Sequence, residues 1–158
     1  MVYTAPRAEK KVYNELLKRQ FSVFLPLQKT LRQWSDRKKW VETPLFNSYI
    51  FIHTSLSHYY TLLNIDGIVK FVAFEKVPVT VRQADIDLIK LMVANYSDIE
   101  VSDQKLESGT KIKIMAGPLI GQTGELVEYK TKKAVVINIQ NIGYSLLVQL
   151  PDNIIRPL

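Results

Sequence analysis

Ten Lys or Arg fall within the first forty residues: Arg7, Lys10, Lys11, Lys18, Arg19, Lys29, Arg32, Arg37, Lys38 and Lys39. Only Glu9, Glu15 and Asp36 oppose them, so this stretch carries +7 while the whole 158-residue chain carries +6. Cationic side chains at that density neutralise phosphates, which positions a protein on a polyanion without reading sequence. Trp34 and Trp40 sit among the cations, and an indole can stack on an unpaired base. The combination points toward a nucleic-acid partner. A second reading stays open: a solvated basic face, with Trp34 packed on its own hairpin and Trp40 covering the core.

Other chemistry has little to build on. The chain has no Cys and two His, His53 and His58, so disulfides, thiolate metal sites and Cys nucleophiles are excluded and a His-rich metal centre is not expected. Asp85 and Asp87 are two apart on a helical segment and face apart. Ser35-Asp36 has no His at triad spacing, and there is no P-loop or nucleophile elbow. The expectation is a non-enzyme with no cofactor and no metal. A hydrophobic share of 47% with 23% charged residues fits a folded chain. No apolar run approaches the roughly 20 residues of a membrane span. MVYTAPRAEKK carries no apolar signal core, and the cytoplasm is the expected compartment.

The elements that would position these residues are readable from periodicity. Val2 and Tyr3 begin a short strand, with Thr4 a candidate cap and Pro6 in the first turn of a helix over 7–19. Ala8, Val12 and Leu16 form its apolar face; Arg7, Lys11 and Lys18 lie on another. A strand over 21–25 stops at Pro26, and 27–43 reads as two arms around Ser35-Asp36-Arg37. LFNSYIFI (45–52) reads as one strand. Alternation puts Phe46, Ser48 and Ile50 on one side and Leu45, Asn47, Tyr49 and Phe51 on the other. Ser55 is a candidate cap for a helix over 56–64 with Tyr59, Leu62 and Leu63 inward. A strand follows over 68–74, then a helix over 82–95 with Ile86, Ile89 and Val93 inward. Residues 96–108 read as an acidic linker. From Gly109 onward, period-two segments at 111–114, 125–129, 134–139 and 144–150, with an Asn141-Ile142-Gly143 hairpin, predict a small β-barrel. The fold class is α+β: an antiparallel sheet with three helices over 1–95, the linker, then a five-stranded barrel over 109–158.

PRAEKKV (6–12), RQWSDRKK (32–39) and PLFNSYIF (44–51), together with GTKIKIMAGPLIGQTGELVE (109–128), resemble the NusG family of transcription elongation factors. The first three resemble its N-terminal NGN domain and the last its KOW domain, with Gly109, Gly117, Gly121 and Gly124 at the KOW turns. SDRKK…PLF.SYIF is most similar to the specialised RfaH-like and UpxY-like antiterminators, which for the UpxY group act on capsular polysaccharide operons. One departure concerns the start: members usually open with a Trp-Tyr strand just before the position of Met1, which leaves the sheet edge at the first strand open.

The resemblance implies partners and contact positions. NGN domains bind the β′ clamp helices of RNA polymerase, and Leu45, Phe46, Tyr49, Phe51 and Phe71 match the groove positions. Specialised members also touch the non-template DNA strand, for which Lys10, Lys11, Lys18, Arg19, Arg37, Lys38 and Lys39 are the candidates. His58 matches the His of the RfaH-like motif that meets the β-subunit gate loop, although Tyr59-Tyr60-Thr61 departs from that motif and an ordinary surface His is the alternative. KOW domains tether a ribosomal protein or Rho, with Ile142 and Tyr144 as candidate contacts here. The chain is expected to be a monomer with no membrane partner. A relative switches its KOW domain to helices, and the β-branched AVVINI (134–139) argues against that here. A housekeeping NusG and a ribosome-associated or RNA-binding KOW protein are the rival readings.

Overall fold

The computed structural model describes residues 1–103, 106, 109–139 and 142–158. The linker positions 104, 105, 107 and 108, and Asn141 of the expected hairpin, lie outside them. The chain forms two compact units: residues 1–27 with 44–81, and residues 28–43 with 82–158.

In the first unit, β1 (Val2–Thr4), β2 (Ser22–Phe24), β5 (Tyr49–His53) and β6 (Ile68–Phe71) form a sheet ordered β2-β5-β1-β6. The first strand is therefore interior, paired antiparallel with β5 and β6. Helix α1 (Glu9–Lys18) supplies fully buried Val12 and Leu16, four apart on one face. They join Val2, Ile50, Leu62, Ile65 and Ile68 in one core, with Leu62 coming from α2 (Tyr59–Leu63). Helix α1 starts two residues later than the sequence suggests. Thr4 belongs to β1 rather than capping the helix, its hydroxyl is buried without a partner, and Arg7 takes a positive φ of 63°.

The largest local departure is at 45–48. Leu45 and Phe46 form a bend and Asn47-Ser48 a turn, so the strand begins only at Tyr49. Ser48 adopts φ 65°. Its N–H donates to the buried Glu9 carboxylate at 2.7 Å, and its carbonyl accepts from Thr4 N–H at 2.8 Å. The 56–64 helix divides into a 3₁₀ turn at Leu56–His58 and α2; Ser55 makes no cap bond and meets the Ser57 hydroxyl instead. The 68–74 strand divides into β6 and a small hairpin of β7 (Ala73–Phe74) and β8 (Val77–Pro78).

In the second unit, β3 (Leu27–Gln33) and β4 (Lys38–Pro44) form a two-stranded ribbon closed by Trp34 N–H donating to the Arg37 carbonyl at 2.7 Å. Helix α3 (Gln83–Asn95) buries Asp85, Ile89 and Met92, whereas Ile86 and Val93 are half-buried. The inward stripe is thus one position from the expected one, because Arg82 grips Asp85 with two hydrogen bonds of 2.9 and 2.8 Å and makes a buried carboxylate tolerable. Strands β9 (Glu100–Ser102), β10 (Thr110–Ile114), β11 (Thr123–Tyr129), β12 (Lys132–Ile139), β13 (Tyr144–Val148) and β14 (Ile155–Pro157) form one antiparallel sheet ordered β14-β10-β11-β12-β13-β9. Six strands stand where five were expected. The extra one, β9, comes from the segment read as linker and pairs with β13.

Gly117 and Gly121 occupy positive φ, 83° and 85°. Gly124 does not; it lies inside β11 opposite Ile112, where a Cβ would come within 2.6 Å of the Val136 carbonyl oxygen. Its role is close strand approach rather than a turn. Gly67 combines both constraints, with φ 97° and only 2.7 Å from an added Cβ to Val12 Cγ2. Gly67→Ala should therefore destabilise the protein by about 2 kcal/mol, read as a lower urea midpoint.

Candidate protein-docking and nucleic-acid surfaces

The aromatic positions sort by sheet face. In register, Tyr3 lies opposite Tyr49 and Lys70, whereas Val2 lies opposite Ile50 and Phe71. Side chains at paired positions share a face. Tyr49 and Phe51 therefore stand with Tyr3 and Phe24 on the face away from the α1-packed core, and Phe24 lies opposite Phe51. Phe71 is on the other face, packed against the core and stacked on Tyr59 at 4.6 Å between centroids. This corrects its expected place beside Tyr49.

Exposure divides the set again. Leu45, Phe46 and Phe51 are 5%, 3% and 4% exposed, so they are floor rather than lip. Phe51 contacts Phe24 at 6.0 Å and Phe46 edge-on at 5.8 Å. Leu45 and Phe46 are neighbours yet both buried, which the bend permits and an alternating strand would not. Tyr49 is half-buried, meets Tyr3 edge-to-face at 5.4 Å, and Tyr3 also has the Lys70 ammonium 5.9 Å from its ring centre. The result is an aromatic row with a cation at one end, a surface suited to an amphipathic, partly acidic helix. Composition flagged Tyr49 and Phe51; Tyr3 and Phe24 were missed because their face depends on strand register.

The cations fall into two groups. On α1, Lys11 Nζ pairs with Asp66 at 2.5 Å and Arg19 with Glu15 at 2.8 Å. The hydrogen bond to Asp66, then its charge, raises the Lys11 pKa, and the same hydrogen bond holds Asp66 below its ordinary value. Glu15 is likewise lowered by its hydrogen bond from Arg19. Lys11 and Arg19 are thus tied to acids, and Lys10 and Lys18 are exposed on the same helix. The second group, Arg32, Arg37, Lys38 and Lys39, is exposed on the β3–β4 ribbon, where Arg37 lies 3.9 Å from Asp36. Trp34 and Trp40 are 54% and 59% exposed there, so Trp40 does not cover the core as expected.

His58 is exposed at the end of the 3₁₀ turn. Its Nδ1 is 3.1 Å from the Thr54 hydroxyl and its ring meets Phe21 edge-on at 5.5 Å. In the second unit Ile142 is buried at 8% and Tyr144 half-buried, whereas Met115, Ile120 and Leu158 are exposed at 42%, 64% and 72%. Ile142 is therefore a core residue and no contact residue. Met115 and Ile120 flank the Gly117 turn inside the very GTKIKIMAGPLIG motif that signalled the fold. Among the described residues no cluster of His, Asp or Glu could hold a metal, and no helix is long and apolar enough to cross a membrane.

Removing the Asp66 carboxylate isolates its effect on Lys11. In Asp66→Asn, Lys11 should titrate closer to its ordinary value by NMR. Affinity for a single-stranded oligonucleotide should rise, with the log-log salt dependence steepening by about one released ion. Asp66 is ionised above its lowered pKa, so the pair is intact at neutral pH and is lost only as pH falls through that value in acid.

Comparison with known proteins bears on the family and the fold. Residues 1–90 match the NusG family, described as "Transcription termination factor nusG". No curated protein matches in sequence. The structure described as "Domain interaction in Thermotoga maritima NusG" aligns over 99% of this chain and 94% of its own at 18% identity, with a TM-score of 0.61. "Crystal Structure of MjSpt4:Spt5 complex conformation B" aligns over the same shares at 17% identity, with a TM-score of 0.31. The family match covers more than half of the chain, and the protein belongs to the NusG family of transcription factors.

Proposed function

We propose that this chain is an RNA polymerase-associated elongation factor of the specialised, operon-specific antiterminator type. In this reading residues 1–95 act as the NGN domain, 96–108 as linker and 109–158 as the KOW domain. The observation that carries it is the aromatic row of Tyr3 and Tyr49, with Phe24 and Phe51 beside it, on the sheet face away from the α1 core. That row receives the β′ clamp helices, and the buried Phe46 packs edge-on against Phe51. The exposed cations of α1, and separately those of the ribbon, are the candidate contacts for the non-template strand, His58 meets the β gate loop, and the KOW sheet recruits a ribosomal protein or Rho. The role in this reading is binding. RQWSDRKK (32–39) is what favours a specialised paralog acting on surface-polysaccharide operons over a housekeeping factor.

Capture by a β′ clamp-helix fragment tests it. Tyr49→Ala should lower capture about tenfold or more while leaving thermal stability within about 1 kcal/mol of wild type. Phe51→Ala should instead destabilise the fold by about 3 kcal/mol or more, since that ring is buried. Capture that ignores Tyr49→Ala and Tyr3→Ala would overturn the docking face. Occupancy mapped across the genome separates the two family roles: a specialised factor gathers at few operons, a housekeeping one at most.

A further inference from the structure

The six-stranded sheet is buried on both faces at its centre. Four consecutive residues of β12, Ala134–Ile137, and four of β13, Ser145–Val148, lie inside. A sheet wetted on one side alternates instead. Register sorts the two faces: Val135, Ile137, Leu146 and Val148 share one, and Val127, Ala134, Val136 and Leu147 share the other. On that second face Ala134, Val136 and Leu147 form a small core cluster, against which Val127, Tyr129 and Leu106 pack. Val127 and Tyr129 belong to β11 itself. Leu106 comes from the segment between β9 and β10. Two further contacts hold β9. It lies along β13, with Glu100 opposite Leu147 and Val101 opposite Leu146. Lys130 Nζ, in the β11–β12 turn, donates to Glu100 Oε2 at 2.6 Å.

We infer that β9 and Leu106 form a releasable strap, which sets how far the C-terminal sheet can travel from α3. Each fastening is weak enough to open. Strand β9 has three residues and stands at the edge of its sheet. The Lys130–Glu100 pair is exposed, so salt screens it. A cavity of about 130 Å³ lies against the same face, lined by Tyr129, Ala134 and Leu147 with Lys130 and Glu100 at its rim. The seat is thus incompletely filled, and its lining forfeits dispersion contacts. Short edge elements with few apolar contacts are the ones that open locally. The two states differ in reach. With the strap fastened, four residues (96–99) separate α3 from β9, a span of at most about 14 Å. With it released, fourteen residues (96–109) separate α3 from β10, a span of about 20 Å on average and at most about 48 Å. Helix α3 and the sheet fall in one compact unit, as the fastened state requires. The device stands on this chain's own contacts; only its use, governing the reach of whatever the sheet recruits, rests on the proposed function.

Amide hydrogen exchange on the full chain reads the strap directly. In wild type the β9 amides that bond β13 should exchange about tenfold or more slowly than unstructured peptide. In Leu106→Asp they should approach the unstructured rate, while β10, β11 and β12 keep their protection. Leu106→Met, which conserves volume, should behave as wild type. Leu106→Ala should fall between, and it decides the matter if the charged variant loosens the other strands as well. The chain has no Cys, so Ala84→Cys on α3 and Glu128→Cys on β11 can carry a pair of spin labels. Their distance distribution should be narrow with Leu106 in place, and should broaden toward longer values in Leu106→Ala and Leu106→Asp. Wild-type β9 amides that exchange as fast as unstructured peptide, or a label distribution indifferent to residue 106, refute the strap. Capture by the polymerase clamp fragment is measured on the same variants. Protected β9 amides with no capture by wild type remove only the polymerase reading, whereas capture with unprotected β9 amides removes only the strap.

Discussion

Ser48 is the point on which the first unit is hung. Its N–H is held by a buried carboxylate from α1, and its carbonyl is held by the central strand β1. A buried carboxylate is costly unless its oxygens are satisfied. Glu9 meets that demand with a main-chain N–H that would otherwise be orphaned by the turn's left-handed backbone. One contact thus joins the helix, the middle of the sheet and the start of β5. It sets where β5 begins, and hence which face each of its side chains occupies.

From that constraint the two faces of the sheet acquire different tasks. The face toward α1 is filled by aliphatic side chains, with Phe71 and Tyr59 sealing its margin. The opposite face is aromatic, with the phenolic rings of Tyr3 and Tyr49 meeting edge-to-face on it. In the proposed reading the protein works through such surfaces, and its specificity lies in what each surface rejects. An aromatic row disfavours a highly charged partner, while a cationic ribbon disfavours an apolar one. The α1 cations are tempered by Asp66 and Glu15, which limits unspecific attraction to any polyanion.

Much of the architecture could be read from periodicity. Val12 and Leu16 revealed α1, and the alternating segments after Gly109 revealed four strands within a few residues of their ends. The failures share a cause: they depend on contacts distant in sequence. LFNSYIFI has uniform β-propensity, and only Glu9, 39 positions before Ser48, marks where the strand is interrupted. The face of Phe71 follows from β6 pairing with β1, which no local pattern encodes. Trp40 looked like a core residue because indoles usually are, and Ile142 looked exposed because it sits in a turn. Strand β9 was invisible in an acidic, weakly periodic segment, since its order comes from β13. The candidate site was legible as composition, in aromatics and cations, but not as geometry.

Strand β9 also decides how the second unit can be dissected. Its partner β13 is flanked by β12 on one side and by β9 on the other. A fragment cut at Gly109, the boundary suggested by the barrel pattern alone, would strip that cover from Ser145, Leu146 and Leu147 and leave their peptide groups bare. A naked ladder beside such an apolar run invites another chain to zip onto it. Isolated domains of this protein will remain monodisperse only when the cut falls ahead of Ile99, the buried residue that leads into the covering strand.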